Sequence, residues 1–189
     1  MQEFKMLTAT VEDVPELVLL INSAYRGAHS KKGWTTEAHL IEGDRMDEAS
    51  LIQMISKSGV VVRKCVQDED VIVGCVYLET QQNELYLGLL TVAPDRQGAG
   101  IGKIMLGDAE EVALNQKLSG IVMTVISIRP ELIHWYVRRG FSLTGKKIPF
   151  PSDNKFGRPL QPLELVELKK ELDCKPKVNS SLRVRSPWS

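Results

Sequence analysis

From Thr10 to Ala24 the apolar residues recur at helical spacing, with Val14, Leu17, Val18, Ile21 and Tyr25 on one face. Thr10 and Asp13 have the spacing of a cap, and Pro15 falls in the first turns, where proline is tolerated. This spacing predicts a first helix. A polar stretch follows over 26–44, with glycines at 27, 33 and 43 and a short helical candidate at Thr36–Ile41. Asp47–Ser56 reads as another helix, with Leu51, Ile52 and Ile55 as its apolar stripe. The period then changes. Val60–Val66 and Val71–Glu79 are β-branched runs joined by a polar turn, which predicts an antiparallel hairpin, and Leu85–Val92 is a third strand. A glycine-rich turn, Asp95–Gly102, leads into a helix running to Leu118. Ile121–Ile128 is apolar almost throughout, as a strand buried on both faces should be. Pro130–Arg139 reads as a short helix stopped by Gly140, and Phe141–Leu143 and Leu163–Leu168 are the last strands. The predicted class is α/β in the α+β sense: a central, mostly antiparallel sheet with one β-α-β unit and helices on both faces. Residues 1–172 form one domain on this reading, and 173–189, which lose all periodicity, are expected to be a disordered tail.

Composition narrows the function classes. The chain has 189 residues, 43% hydrophobic and 25% charged, as expected of one globular domain. Its 24 basic residues balance 24 acidic ones, which removes the electrostatic case for a nucleic acid or an anionic membrane as partner. No apolar run approaches the ~20 residues of a membrane span, and Met1–Lys5 does not open a secretory signal. Cys65, Cys75 and Cys174 lack CxxC spacing, and His29, His39 and His134 are scattered, so neither a disulfide framework nor a metal site is expected. A reducing, cytoplasmic location fits best.

The segment Leu89–Lys103 carries the chemistry. It reads strand, turn, glycines, helix, an arrangement in which successive N–H groups and a helix N-terminus converge on a phosphate. A dinucleotide fingerprint starting at Gly98 requires glycine where Lys103 stands. A Walker A loop ending at Gly102-Lys103 requires glycine at Gln97 and Ser or Thr at Ile104. Both fail. The pattern [Q/R]xxGx[G/A] after a Val-x-Pro turn is met by Gln97, Gly100 and Gly102.

With this loop, followed one strand later by Tyr136-Val137-Arg138-Arg139-Gly140-Phe141, the chain resembles the GNAT superfamily of acyl-CoA-dependent N-acyltransferases. The resemblance covers roughly residues 4 to 170. The Arg129–Ile133 run, with Pro149–Pro151 and Phe156–Pro159, is similar to a bacterial-type, small-acceptor subgroup. The resemblance implies that Leu90, Thr91, Val92, Gln97, Gly98, Ala99, Gly100, Ile101, Gly102 and Lys103 hold coenzyme A, with acetyl-CoA as co-substrate and no metal. In the family the strand splays at a bulge near Leu90 and Val92, the cofactor arm adds there, and a backbone N–H at Val92 faces the carbonyl. Members often carry Asn seven residues before the tyrosine. Here that position is Arg129, so either the arm is held another way or Arg129 reaches the phosphates.

The implied activity is transfer of an acetyl group from acetyl-CoA to a primary amine of a small molecule or peptide, by direct attack in a ternary complex. The alternative is a non-catalytic acyl-CoA-binding sensor. Tyr136 is the candidate catalytic residue, stabilising the departing thiolate, although Leu132, Ile133, Tyr136 and Val137 also form an apolar helix face. Four residues, His29, His39, Glu37 and Glu84, are open as general base. Trp34 and Glu37 are expected on the acceptor side, with Trp34 either shaping that pocket or pinning its loop, and Pro149–Pro159 is a second acceptor-side candidate. A monomer or a homodimer fits equally.

Overall fold

A computed structural model describes residues 3–68, 71–151 and 157–173. Its elements are β1 (Phe4–Thr8), α1 (Val14–Tyr25), α2 (Gly27–Ser30), β2 (Ile41–Glu42), α3 (Glu48–Ile55), β3 (Val60–Gln67), β4 (Val71–Gln81) and β5 (Glu84–Val92). Then come α4 (Ile101–Asn115), β6 (Gly120–Ile126), α5 (Pro130–Val137), β7 (Ser142–Pro149), β8 (Arg158–Pro159) and β9 (Glu164–Glu171). Seven strands form one sheet in the order β1-β3-β4-β5-β6-β9-β7, and β2 pairs with β8 apart from it. In the large sheet β5 and β6 are parallel, and every other pairing is antiparallel. The predicted mixed, mostly antiparallel sheet is therefore observed.

Alternation along β4 builds two cores. Val76 and Leu78 pack with Met105 and Ala109 of α4 and with Ile121 and Met123 of β6. Cys75 and Tyr77 point the other way, into a cluster with Leu17 and Ile21 of α1 and Leu51 of α3. A period of two on a strand, with a helix stripe laid against each face, gives three layers. The first helix starts later than its cap spacing suggests. Val11–Asp13 is a 3-10 turn, over which the Thr10 backbone N–H donates to Asp13 Oδ2 at 2.8 Å.

Two expectations change, and one strand was not expected. Phe4–Thr8 is an edge strand that its short mixed pattern does not announce, paired with β3. Thr36–Ile41 is a turn leading into β2, not a helix. In α3, Leu51 is buried but Ile52 lies outward. The expected tail, with Cys174, lies outside the described residues except for Asp173.

Cys65 and Cys75 are buried free thiols. Burial pushes them up to about 11 and about 12, so both are neutral near pH 8. Peptide mapping after iodoacetamide treatment at pH 8 should find both unmodified in the folded chain and modified in urea; modification of the folded chain at either would contradict this packing.

Candidate active site

The sheet opens at its parallel pair. β5 bonds β6 only over Glu84–Tyr86 against Gly120–Val122, whereas β6 stays paired with β9 as far as Ile126↔Leu165. Beyond Tyr86 the two strands part. On its other side β5 jumps register against β4, from Tyr77↔Gly88 to Cys75↔Thr91, so Leu89 and Leu90 oppose one residue. This is a β-bulge, and it places Leu89 at φ +48, a left-handed conformation costly for a leucine. Two hydroxyls hold it: Thr91 Oγ1 donates to the Leu89 carbonyl at 2.9 Å, and Tyr25 Oη donates to that of Leu90 at 3.0 Å. Burial, with the Glu37 charge second, raises the Tyr25 phenol to about 12, which keeps that donor protonated.

Two cavities flank the opening. One, of about 250 Å3, is lined by the glycine turn, Arg96, Lys103, Trp135 and Arg139. The other, of about 350 Å3, lies between Glu37, Tyr77, Tyr86, Met123 and Phe150. Tyr25, Leu90, Leu132 and Tyr136 line both, so the cavities meet at these four side chains. Tyr136 is 6% exposed. Its ring stands edge-on to Trp135 (5.0 Å, 89°) and Phe141 (5.7 Å, 72°). Burial, then the neighbouring Tyr25, drives its phenol far above the usual value, so it is a neutral donor.

The glycine turn fits an anion. Gly98 and Gly100 sit at φ +88 and +86, with nothing within 4 Å of where a Cβ would stand. No described residue accepts from the backbone N–H of Gly98, Gly100, Ile101 or Gly102. These donors stand at the N-terminus of the fifteen-residue α4, beside the Lys103 and Arg96 side chains. Leu90, Val92, Gln97, Ile101, Gly102 and Lys103 line this cavity, while Thr91 is buried beneath the bulge and Ala99 is not part of the lining.

Three residues have roles that spacing did not show. Gln97 turns back: its Oε1 accepts from the Trp34 N–H (2.9 Å), and its Nε2 donates to Thr35 Oγ1 (2.8 Å). Only glycine at position 33 allows this, since a Cβ there would stand 2.8 Å from the carboxamide. Arg129 is 2% exposed and spends its donors on the same segment. They go to the carbonyls of Thr35 (3.1 Å) and Trp34 (3.3 Å) and to Glu131 Oε1 (2.9 Å), with Glu37 Oε1 at 3.8 Å. The guanidinium is thus a strap for Trp34–Glu37. Trp34 lies on the glycine-turn side, 6.3 Å from Trp135. Glu37 alone of the four base candidates lines the second cavity, and Arg26 Nη1 holds its Oε2 at 2.9 Å. His29 and His39 lie on the surface, and Glu84 pairs with Lys169 at the far end of β5.

Arg129→Lys keeps the charge but loses the planar fork. We expect it to cost about 1–2 kcal/mol of stability, read by urea unfolding, because charged hydrogen bonds to two carbonyls cannot all be remade. An unchanged midpoint would show that the strap is dispensable.

The opened parallel pair, the bulge and the glycine turn on a helix N-terminus thus adjoin the same pair of cavities. The sequence profile of the acetyltransferase (GNAT) family matches residues 20–141, and the chain belongs to that family. No curated protein sequence matches it. Among solved structures, the ribosomal-protein-S18-alanine N-acetyltransferase of Escherichia coli superposes with TM-score 0.67 at 12% identity, covering 93% of this chain and 98% of that one. The ribosomal-protein-alanine N-acetyltransferase of Brucella melitensis gives 0.65 at 20%, covering 89% and 99%. A chimera of the Vibrio cholerae spermidine N-acetyltransferase gives 0.64 at 13%, covering 89% and 95%. At these identities the likeness is one of fold. Among the described residues no group of side chains is arranged to hold a metal, and no helix is long and apolar enough to cross a membrane.

Proposed function

We propose that residues 1–172 act as one N-acetyltransferase domain that moves an acetyl group from acetyl-CoA to a primary amine by direct attack. The observation that carries this reading is the meeting of two cavities at Tyr136, one built for an anion and the other able to take a second molecule. Bound in the first, acetyl-CoA would supply a thioester: the amine nitrogen bonds to the carbonyl carbon, the C–S bond breaks, and the sulfur takes up the proton that the nitrogen gives up.

The chain's own groups have these parts. The N–H groups of Gly98, Gly100, Ile101 and Gly102, with Lys103 and Arg96, bind the pyrophosphate. Trp34 and Trp135 wall the same cavity. Leu90 and Val92, at the bulged end of β5, offer backbone groups to the cofactor arm, and a carbonyl such as that of Leu90 keeps a second lone pair after accepting from Tyr25. Tyr136 presents a neutral hydroxyl where the thiolate departs. An unperturbed thiol titrates near 8.5, so the raised phenol stabilises the thiolate by hydrogen bonding more readily than by full proton transfer. Holding both reactants in one geometry supplies much of the remaining rate. The buried thiols suit a reducing, cytoplasmic compartment.

The test is a thermal-shift comparison of acetyl-CoA, longer acyl-CoAs, NAD and ATP, followed by thiol release from acetyl-CoA with a panel of amines. Stabilisation by acetyl-CoA and amine-dependent thiol release are expected. Stabilisation without turnover would make the chain an acyl-CoA-binding sensor, and a response to NAD or ATP but not to CoA would overturn the reading altogether.

A further inference from the structure

The walls of the larger cavity set what amine it takes, granted that the chain is the N-acetyltransferase proposed above. Its surface is formed largely by soft and aromatic side chains: Met46, Met54 and Met123 with Tyr77, Tyr86 and Leu165. Thioethers and rings make adaptable apolar contacts and offer a charged group little. At about 350 Å3 the cavity is at the small end of ligand sites, which run from about 300 to 1,000 Å3.

Its acids already face the protein's own cations. Two carboxylates line it among the described residues, Glu37 and Glu79. Glu37 offers Oε2 to Arg26 at 2.9 Å and Oε1 to Arg129 at 3.8 Å. Glu79 accepts from Lys57 Nζ, from Tyr77 Oη at 3.1 Å and from Gln81 Nε2 at 3.0 Å. The Lys57 hydrogen bond leads the causes that hold its carboxyl below the usual range, so it is occupied as an anion by the protein's own donors. The other charged lining groups, Arg26 and Arg45, are cations. These two cations balance the two carboxylates, so a second or third ammonium on the acceptor would enter a largely apolar wall with no surplus negative charge to receive it, and burying an unpaired charge is costly.

We propose that the acceptor is a primary amine on a compact apolar body, aromatic or branched aliphatic, rather than a polyamine or a lysine-rich peptide. Its nitrogen reaches the junction at Leu90 and Tyr136 while the body fills the space between Met54, Tyr86 and Met123. The transfer is the one balanced above: N–C bond formed, C–S bond broken, the proton passing from nitrogen to sulfur.

The experiment compares 2-phenylethylamine and isoamylamine with ethanolamine, spermidine and a lysine-rich peptide, using the full chain and acetyl-CoA. Burying such a body removes apolar surface from water, a gain that ethanolamine cannot make. The apolar amines should therefore exceed ethanolamine in kcat/KM at least tenfold, and exceed spermidine by more. Spermidine or the peptide as best acceptor would overturn the proposal while leaving the enzyme reading intact. Calorimetry of the same amines on CoA-loaded protein gives a readout independent of turnover. If no amine is acetylated but 2-phenylethylamine binds and spermidine does not, the catalytic reading falls and the cavity's preference stands; if neither binds, both fall. Met54→Glu, which adds a carboxylate at a half-buried wall position, should raise the KM for 2-phenylethylamine tenfold or more and narrow its advantage over spermidine. An unchanged ratio in the folded variant would place the acceptor elsewhere.

Discussion

Tyr136→Phe is expected to lower kcat by roughly 10- to 1000-fold while moving the KM for acetyl-CoA much less. The substitution separates the ring from the hydroxyl. The edge-on contacts to Trp135 and Phe141 are made by the ring, and phenylalanine keeps them. Among the described residues the Tyr136 hydroxyl has no hydrogen-bond partner, so the folded state has little to lose when the oxygen goes. The Tm should hardly change. What is lost is a donor at the place where the two cavities meet, and its interaction strengthens only as negative charge grows on the sulfur. That is why kcat should fall and KM should not. Equal kcat in the two proteins, measured where chemistry limits the rate, would make Tyr136 a core residue and leave the thiolate to water or a backbone donor.

How much of this was legible in the sequence depends on the range of the interaction concerned. The helix of α4, the β3–β4 hairpin and the buried β6 are written in local period, and each is found within a few residues of its expected bounds. The glycine turn was legible because positive φ at Gly98 and Gly100 is a local need that one residue type meets. The bulge was not. Leu87-Gly88-Leu89-Leu90 is an ordinary apolar run, and φ +48 at Leu89 is enforced by a register jump against β4 and by the hydroxyls of Thr91 and Tyr25. Tyr25 falls on the apolar face of the first helix, and nothing near it in sequence shows that its oxygen bonds a carbonyl 65 residues away.

Arg129 and Gln97 illustrate the same limit at the site. Their positions in the motif suggest groups that reach the cofactor, yet both side chains line the cavity while holding the segment from Trp34 to Glu37. The glycine at 33, which read only as a loop residue, is what lets Gln97 pack there. The glycine turn and the segment that reaches the second cavity at Glu37 are thereby one connected unit. Disturbing either end should be felt at both.

The sharpest test of the anion cradle is Gly100→Val, which should weaken CoA binding at least tenfold, on the order of 1.4 kcal/mol. Two separable effects contribute. Gly100 holds φ +86 as the residue just before α4, and a β-branched residue in that left-handed conformation is strained by about 1–2 kcal/mol, a cost borne by the folded chain whether or not ligand is present. The second effect appears only on binding. No atom beyond the chain neighbours lies within 4 Å of the missing Cβ, so a valine side chain has room to project beside the N–H groups of Gly98, Ile101 and Gly102, left unpaired by the described residues. Gly100→Ala divides the two: it carries most of the backbone strain with a single methyl, so its Tm should fall nearly as far as that of the valine variant while its CoA affinity falls less. A folded Gly100→Val protein that binds CoA as the parent does would remove the pyrophosphate from this turn, and with it the assignment of the smaller cavity to the cofactor.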